Sequence, residues 1–428
     1  MGQYINSEQH LKRAELTIPL GSQTFSKSKT QYPVGVSPLY ATKAKGAEIW
    51  DLDGNRYVDL VSSLASVTFG YADREIESAV KKQLKNGVTL SLPGKIEAEV
   101  AELICELVPS AEMVRYGKNG TDATSAAVRL ARAYTGRDHV AVCGYHGWQD
   151  WYIGSTTRNR GVPKVVSDLT HPFSYNDIDS FKKLLDSYPN QLAAVIMEPM
   201  NSQWPVANFL EKIRELTRNL GIVLIFDETI TGFRFAKGGA QELFKVTPDL
   251  STFGKGMANG FPLSAVVGRK DIMMEMENIF FSGTFGGELL SLAAAKVVLK
   301  KHLSGNVTEE LSRIGRRLSN EVNDVIDELK LGEILNLSGH DTWKFLNWKA
   351  TEEVKVNELR TLFLQEMFRN KILIIATHNV SLSIGRKHTV RITEAYREAL
   401  QKIATAVEKG TVAELLQVEP LMPLFNVR

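Results

Sequence analysis

The amino-acid sequence predicts an α/β protein whose larger domain contains a mostly parallel sheet flanked by helices. Short apolar runs at 139–144, 193–197 and 221–226 have the length and composition of buried strands. Stretches with apolar residues at helical spacing lie between them, at 121–134 and 209–220. Buried strands that alternate with helices are typical of a parallel sheet covered on both faces. Ligands of such sheets lie beyond the carboxyl ends of the strands, so the residues that follow each run are the first candidates for a site.

The N-terminal segment, residues 1–60, is predicted to contribute to a smaller domain. Its first forty residues are rich in polar side chains and contain prolines, so we expect them to be irregular. Asp53-Gly54 separates two runs of alternating apolar residues and predicts a β-hairpin. Helices are predicted at 73–87 and 96–107, where a glycine and a proline end them.

The large domain is predicted to extend over residues 61–303, and a small α+β domain to follow it at 304–428. The C-terminal domain is expected to contain helices at 309–329, 353–370 and 393–409 and strands at 343–348 and 380–383. A chain of 428 residues is too long for one small domain, which agrees with this division.

Charge and cysteine content exclude several classes of function. The formal net charge is +2, which gives no electrostatic reason to expect nucleic acid or an anionic membrane as a partner. Cys105 and Cys143 are too few for a disulfide framework or a cysteine-based zinc site, and we expect no metal. The N-terminus lacks the apolar segment of a secretion signal, and no apolar run approaches the length of a membrane span. We therefore expect a cytoplasmic protein with small-molecule partners.

Asp227 and Lys255 are the first two candidates for chemistry. Asp227 follows the apolar run 221–226, where a carboxylate is poorly solvated and needs a partner. Lys255 stands among glycines and apolar residues, where a poorly hydrated amine can lose its proton and attack a carbonyl to form an imine. Taken singly, the acidic pair Asp227-Glu228 is explained better by a salt bridge or a helix cap, and the lysine by a solvated surface cation. Their positions at two strand ends favour a common site.

Two further motifs lie beside predicted strands and helices. The turn Lys118-Asn119-Gly120-Thr121 opens a helix whose free N–H groups can bind an anion, although an ordinary N-cap explains the same residues. Tyr145, between Gly144 and His146 at a strand end, could stack on a planar heterocycle or belong to the core. Pyridoxal 5′-phosphate would use all four elements, because it needs a lysine, an acid at its pyridinium nitrogen, an anion cradle and a stacking partner.

These motifs resemble the class III, fold type I, pyridoxal phosphate-dependent aminotransferases, and within them the branch similar to glutamate-1-semialdehyde 2,1-aminomutase. The resemblance covers roughly residues 38–303, whereas the rest of the C-terminal part matches poorly. The matching motifs occur in the family's order: the hairpin around Gly54, Gly120-Thr121, Tyr145-His146-Gly147, Glu198-Pro199, Asp227-Glu228, Gly232-Phe233-Arg234, Gly238–Gln241, Gly254-Lys255 and Gly260-Phe261-Pro262. The resemblance implies a fold type I transferase.

The resemblance also implies a role for each matched residue. Lys255 would be the catalytic residue and form a Schiff base with the cofactor, and Asp227 would pair with the pyridine nitrogen. Gly120 and Thr121 would hold the phosphate, beside Asn119, which stands where the family usually has serine.

The remaining matches lie around the cofactor ring and in a loop. Tyr145 would stack on the ring with His146 as its neighbour, and Thr229 stands where the family has a valine on the ring's other face. Glu198 matches a glutamate near the substrate. Thr284 matches a threonine that reaches the partner subunit's cofactor phosphate, which implies a homodimer with shared active sites.

Departures from the family pattern leave the substrates open. The aminomutase's Asn-Ser-Pro-Val-Arg is replaced here by residues 22–27, its C-terminal Phe-Glu-Ala is not evident, and residues 285–289 replace the usual Ser-Gly-Asn-Pro. Trp148, Trp151 and Tyr152 could stack on a sugar or another apolar-faced substrate, or belong to the core or to a dimer interface.

Three functions are compatible with these residues. The leading one is an aminotransferase that moves an amino group from an amino donor to a carbonyl acceptor (an aldehyde, ketone or keto-sugar) by a ping-pong mechanism. The alternative is an aminomutase of the glutamate-1-semialdehyde type, which moves the amine within one molecule. The third is a binding module that has lost its chemistry, against which the intact Lys255 and Asp227 argue.

Overall fold

The structure, a computed structural model, describes residues 3–352 and 354–422. The described residues divide into two compact units, of which one contains 3–73 and 310–422, and the other contains Arg74–Glu309. The boundaries expected from the sequence lie at residues 60 and 303. Three predicted features lie outside the described residues. They are the first two residues of the N-terminal segment, the last six residues of the C-terminal domain (423–428) and the start of the predicted helix at 353.

The unit Arg74–Glu309 is built on a seven-stranded sheet in its described residues. From one edge to the other, the strands are Met113–Gly117, Ser264–Gly268, Leu250–Phe253, Val223–Asp227, Leu192–Met197, His139–Cys143 and Thr170–Pro172. Ser264–Gly268 is antiparallel to both of its neighbours, and the other strands share one direction. The predicted α/β class with a mostly parallel sheet is confirmed, and the three strands expected from apolar runs are all present.

Two apolar cores cover the two faces of this sheet. On one face Ile196 and Ile225 pack in the same cluster as Ala127, and on the other Val195 and Leu224 pack in a cluster with Phe181 and Phe209. Successive strand residues point to opposite faces, so both faces need apolar side chains. The helices and helical turns of the unit are Arg74–Leu84, Lys95–Leu107, Gly120–Thr135, Asp150–Ile153, Lys164–Ser167, Ile178–Ser187, Phe209–Asn219, Ala240–Phe244, Lys255–Ala258, Lys270–Met273, Met274–Glu277 and Leu289–Ser304.

The other unit contains two small sheets. Their strands are Ala41–Lys45, Glu48–Asp51, Arg56–Asp59 and Ile372–Leu373 in one sheet, and Leu335–His340, Trp343–Trp348 and Thr377–Asn379 in the other. The helices are Ile5–Ala14, Pro19–Gly21, Phe25–Lys27, Ser62–Ala65, Val356–Arg369, Arg386–Glu408 and Ala413–Leu415, while Val307–Glu328 contains the boundary between the units. The predicted hairpin is present, with Glu48–Asp51 antiparallel to Arg56–Asp59 and a φ of +82° at Gly54 in its turn.

Two expectations for this unit are wrong. The first forty residues are not wholly irregular, because Ile5–Ala14 is a helix. Its N-terminal N–H groups at Asn6 and Ser7 donate to the Asp53 carboxylate, a partner that local sequence patterns do not reveal. The strand expected at 380–383 lies instead at Thr377–Asn379, because Leu382 N–H donates to the Thr68 carbonyl rather than to a strand.

None of the described helices combines the length and the apolar composition that a membrane-spanning segment needs.

Candidate active site

The carboxyl edge of the seven-stranded sheet carries nearly all of the predicted site residues. Five of its strands are followed by loops that line one cavity of about 230 Å³. The lining residues are Asn119, Gly120, Thr121, Thr124, Tyr145, His146, Gly147, Trp148, Glu198, Asp227, Thr229, Ile230 and Lys255. The described lining residues do not include Thr284, which lies exposed in the loop before helix Leu289–Ser304. Parallel strands therefore bring together residues that are far apart in sequence.

Asp227 and His146 form a buried pair in this cavity. His146 Nδ1 lies 2.9 Å from Asp227 Oδ2, and the two residues are 1% and 5% exposed. The other carboxylate oxygen accepts hydrogen bonds from Thr229 N–H (3.1 Å) and the Thr252 hydroxyl (3.2 Å). Burial by itself raises the pKa of Asp227, but the hydrogen bond and charge of His146 together with Thr229 outweigh it and lower that pKa. The carboxylate is thus held ionised inside the protein.

Lys255 lies half-buried at the end of strand Leu250–Phe253. Its φ of +34° is unusual for a residue with a side chain, and Gly254 before it is extended. Burial lowers the pKa of Lys255, although the charges of Asp227 and Glu198 act in the opposite direction. The amine therefore releases its proton more easily than a solvated lysine.

A side chain in the first turn of helix Gly120–Thr135 fixes the backbone that precedes the helix. Asp122 Oδ2 accepts the N–H groups of Lys118 (2.9 Å) and Asn119 (2.8 Å). Within the described part of the chain, the buried Thr121 hydroxyl has no hydrogen-bond partner. A Cβ on Gly147, whose φ is +105°, would lie 2.4 Å from Thr121 Oγ1. A buried hydroxyl without a partner, at a helix N-terminus, fits an anionic group of a ligand.

Thr229 packs between the turn and the lysine segment. Its Oγ1 is buried and unpartnered among the described residues. A Cβ on Gly120 would lie 3.0 Å from Thr229 Cγ2, and one on Gly254 would lie 3.3 Å from the same atom. The two glycines therefore allow Thr229 to approach both backbones closely.

Glu198 follows strand Leu192–Met197 and faces the motif after the neighbouring strand. Its Oε2 accepts the N–H of Tyr145 at 3.1 Å, and a Cβ on Gly144 would lie 2.4 Å from that oxygen. Burial raises the pKa of Glu198, and the charge of Asp227 raises it further. Two carboxyl groups with pKa values displaced in opposite directions thus share the cavity.

The aromatic residues that follow strand His139–Cys143 lie partly in the cavity lining and partly in the core. Tyr145 and Trp148 are exposed and line the cavity. Tyr152 is buried and donates its hydroxyl to the Gly144 carbonyl at 2.8 Å, and Trp151 Nε1 donates to Ser125 Oγ at 2.9 Å. Trp151 and Tyr152 therefore belong to the core, and only Trp148 of the three remains a candidate for substrate contact.

The structure shows the roles of two further residues, Glu228 and Thr124. Glu228, next to Asp227, accepts the N–H groups of Ala240 (2.7 Å) and Gln241 (2.9 Å), so it caps helix Ala240–Phe244 from outside the cavity lining. Thr124 lines the cavity and donates its hydroxyl to the His146 carbonyl at 2.8 Å. Helical spacing places Thr124 on the inner face of its helix, but no pattern distinguishes it there from an ordinary core threonine.

The fold and this cavity define an enzyme class, and comparison with known proteins identifies the family. Residues 31–407 match the sequence model of the family Aminotransferase class-III. The chain belongs to the class-III aminotransferases. This membership confirms the predicted family, fold type I, aminotransferase chemistry and pyridoxal 5′-phosphate as cofactor.

Individual relatives agree with this assignment over most of the chain. A 3-aminobutyryl-CoA aminotransferase of Cloacimonas acidaminovorans (strain Evry) is 34% identical over 414 residues, which cover 91% of this chain and 98% of that protein. A glutamate-1-semialdehyde 2,1-aminomutase of Syntrophobacter fumaroxidans is 40% identical over 309 residues, 68% of this chain and 71% of that protein. The solved structure of the FumI protein of Sphingopyxis sp. MTA144, in its PLP internal aldimine form, superposes with a TM-score of 0.89 at 25% identity and covers 98% of this chain and 100% of that one.

Proposed function

We propose that this protein is an intermolecular aminotransferase, which moves an amino group from an amino donor to a separate carbonyl acceptor. The observation that carries the proposal is the buried Asp227–His146 pair in the cavity that also contains Lys255. An ionised buried acid, a lysine with a lowered pKa and a helix N-terminus are what pyridoxal 5′-phosphate requires of a protein.

The groups of the cavity suit the parts of the cofactor. The N–H groups of Gly120 and Thr121 with the Thr121 hydroxyl would hold the phosphate, with Asn119 beside them. Asp227 would accept a hydrogen bond from the protonated ring nitrogen, while Tyr145 and Thr229 would cover the two faces of the ring. When bound, the cofactor supplies an aldehyde carbon that takes up the amino group and a ring that accepts electron density as a Cα–H proton leaves.

The protein's own groups bind the cofactor and move one proton. Lys255 Nζ, whose pKa burial lowers, would hold the cofactor covalently. With an amino donor bound in its place, the same Nζ would be free to take the proton from the donor's Cα and to deliver it to the cofactor's aldehyde carbon. His146 would keep Asp227 ionised, and Glu198, which lines the cavity, is the residue that we expect near the substrate.

The departures from the aminomutase pattern favour transfer between two molecules. Residues 22–27 and the C-terminal part lack the aminomutase segments. Because the C-terminal part also lacks a clear match to the family arginine that grips a substrate carboxylate, we infer an acceptor that is an aldehyde, a ketone or a keto-sugar, used in a ping-pong sequence. Trp148, exposed at the cavity, is the residue that we expect to contact the non-reacting part of a substrate.

We further infer a cytoplasmic homodimer in which Thr284 reaches the phosphate of the partner subunit's cofactor. Thr284 is exposed and stands between Phe280 and Phe285, two large apolar side chains that are also exposed. Apolar side chains in this position favour burial against another chain. Both cysteines, Cys105 and Cys143, are free, which supports a reducing compartment.

Spectroscopy of single half-reactions tests the proposal. The holoenzyme is mixed with one amino donor at a time, including alanine, glutamate and 3-aminobutyrate, and its visible spectrum is followed, with Lys255→Ala as the control. We expect one donor to convert a band at about 420 nm into one at about 330 nm, because conjugation is lost when the amine stays on the cofactor. An acceptor added next should restore the first band.

The same experiment separates the aminomutase. Isomerisation of glutamate-1-semialdehyde without a second substrate, and no response to any single donor, would contradict intermolecular transfer. A protein that cannot be loaded with the cofactor would contradict the chemistry altogether.

A further inference from the structure

The side chain of Lys118 joins segments that carry different parts of the proposed site. Its Nζ lies 3.1 Å from Glu288 Oε2 and donates to the Pro262 carbonyl at 3.0 Å. Lys118 directly precedes the turn 119–121, and Pro262 lies in the segment that follows Lys255. Neither Lys118 nor Glu288 lines the cavity. The contact can therefore act on a bound cofactor only by positioning other residues.

Glu288 is fixed at the end of the loop that contains Thr284. Its carboxylate accepts the N–H groups of Leu290 (2.6 Å) and Ser291 (3.2 Å), and the Ser291 hydroxyl (2.6 Å). It therefore caps helix Leu289–Ser304, and these hydrogen bonds fix the position of the carboxylate relative to the helix. Because a cap of this kind fixes the carboxylate before the lysine binds it, the ion pair needs little further ordering of the acid.

Lys118 is fixed at both ends as well. Its N–H is bound by Asp122 Oδ2, the oxygen that also binds Asn119 N–H, and its Nζ is bound by Glu288 and Pro262. The side chains of Lys118 and Glu288 are 19% and 12% exposed, so the pair is partly withdrawn from water and is screened less than a surface pair. A shift of the loop that ends at Glu288 would therefore pull on the backbone directly before the turn.

We propose that Lys118 and Glu288 are a positioning pair that fixes the turn 119–121 relative to the loop 282–287. Holding the phosphate in one subunit and presenting Thr284 to the partner subunit then depend on one contact. The first half concerns this chain's own turn, and the second half rests on the shared site of the proposed function. Residues 285–289, where the chain departs from the family pattern, include Glu288 and would thus supply the acid of this positioning pair.

A matched pair of variants tests the first half. Lys118→Met removes the contact, and Lys296→Met removes a comparable ion pair, between Lys296 Nζ and Glu99 Oε2 at 2.6 Å with both side chains 30% exposed, away from the cavity lining. The readouts are the dissociation constant of pyridoxal 5′-phosphate and the amide hydrogen exchange of residues 282–287. We expect Lys118→Met to weaken cofactor binding about tenfold and to speed exchange in the loop, and Lys296→Met to do neither.

Unchanged cofactor affinity and unchanged exchange in Lys118→Met would overturn the proposal. If that variant does not fold, Glu288→Gln, which keeps an acceptor for the helix cap but loses the charge, should change both readouts in the same direction. Equal effects of Lys118→Met and Lys296→Met on both readouts would also overturn the proposal, because the Lys118–Glu288 pair would then contribute to stability alone.

A double-variant comparison tests the second half. If the turn and the loop act through one contact, Lys118→Met combined with Thr284→Ala should weaken cofactor binding less than the two single changes predict together. Strictly additive effects would overturn the coupling. A Thr284→Ala variant with unchanged cofactor affinity would contradict the shared site of the proposed function, while the effect of Lys118→Met on its own turn would stand.

Discussion

His146 and Asp227 lie 81 positions apart in sequence, yet His146 Nδ1 contacts Asp227 Oδ2 at 2.9 Å in the interior of the protein. The contact arises because their strands, His139–Cys143 and Val223–Asp227, both flank Leu192–Met197 and end at the same edge of the sheet. The histidine thereby gives the buried carboxylate the partner that it needs to stay ionised.

His146→Phe should shift the pH dependence of cofactor binding. Without the histidine, burial dominates and the pKa of Asp227 rises, so the carboxyl takes up its proton at a higher pH than in the unmodified protein. We expect the affinity for pyridoxal 5′-phosphate to fall on acidification at a pH where the unmodified protein still binds it fully. Dissociation constants measured from pH 8 downward check this. A pH profile parallel to that of the unmodified protein would contradict the role of His146.

The sequence predicted the residues of this site far better than their contacts. Motifs such as Gly120-Thr121 and Gly254-Lys255 are local, and the alternation of strands and helices places them at one sheet edge. The pairing of Lys118 with Glu288 joins positions 170 apart and depends on the order of strands, which no local pattern encodes. Helix Ile5–Ala14 was not predicted for the same reason. The hydrogen-bond acceptor of its N-terminal N–H groups is Asp53, which is distant in sequence.

Gly147→Ala should weaken cofactor binding through Thr121. An alanine Cβ would meet Thr121 Oγ1 at 2.4 Å, and the φ of +105° adds backbone strain, so the hydroxyl must leave its present position. We expect affinity for pyridoxal 5′-phosphate to drop by about tenfold or more. Fluorescence titration of the variant with the cofactor measures the change.

Gly161→Ala is the control for this substitution. Its φ of +91° imposes similar strain, but no described atom lies within 4 Å of the added Cβ. It should lower stability without changing cofactor affinity. An equal loss of affinity in both variants would attribute the effect to strain rather than to the contact with Thr121.

Glu228→Gln should lower stability and leave cofactor binding nearly unchanged. The amide of the new side chain cannot accept both the Ala240 and the Gln241 N–H groups, so one buried donor loses its partner. We expect the free energy of unfolding to fall by about 1–3 kcal/mol, measured by urea denaturation. Loss of the cofactor at unchanged stability would instead indicate that Glu228, and not only its neighbour Asp227, acts in the site.

His171 should make stability depend on pH in the mildly acidic range. Its Nε2 lies 2.8 Å from His139 Nδ1, and its ring stacks on Tyr188 with ring centroids 3.9 Å apart. Burial, helped by the charge of His139, lowers the pKa of His171 to about 4, whereas an unfolded histidine has a pKa of about 6.5. Between these values the unfolded chain binds more protons than the folded one, so stability rises with pH across that window and is complete above it.

His171→Phe keeps an aromatic ring against Tyr188 and removes this titration. We expect the free energy of unfolding to fall less between pH 7 and pH 5 in the variant than in the unmodified protein, measured by urea denaturation at each pH. His10→Gln, which changes an exposed histidine, should leave the unmodified pH dependence in place. If His171→Phe lost stability on acidification as steeply as the unmodified protein, the buried histidine pair would not be the source of that pH dependence.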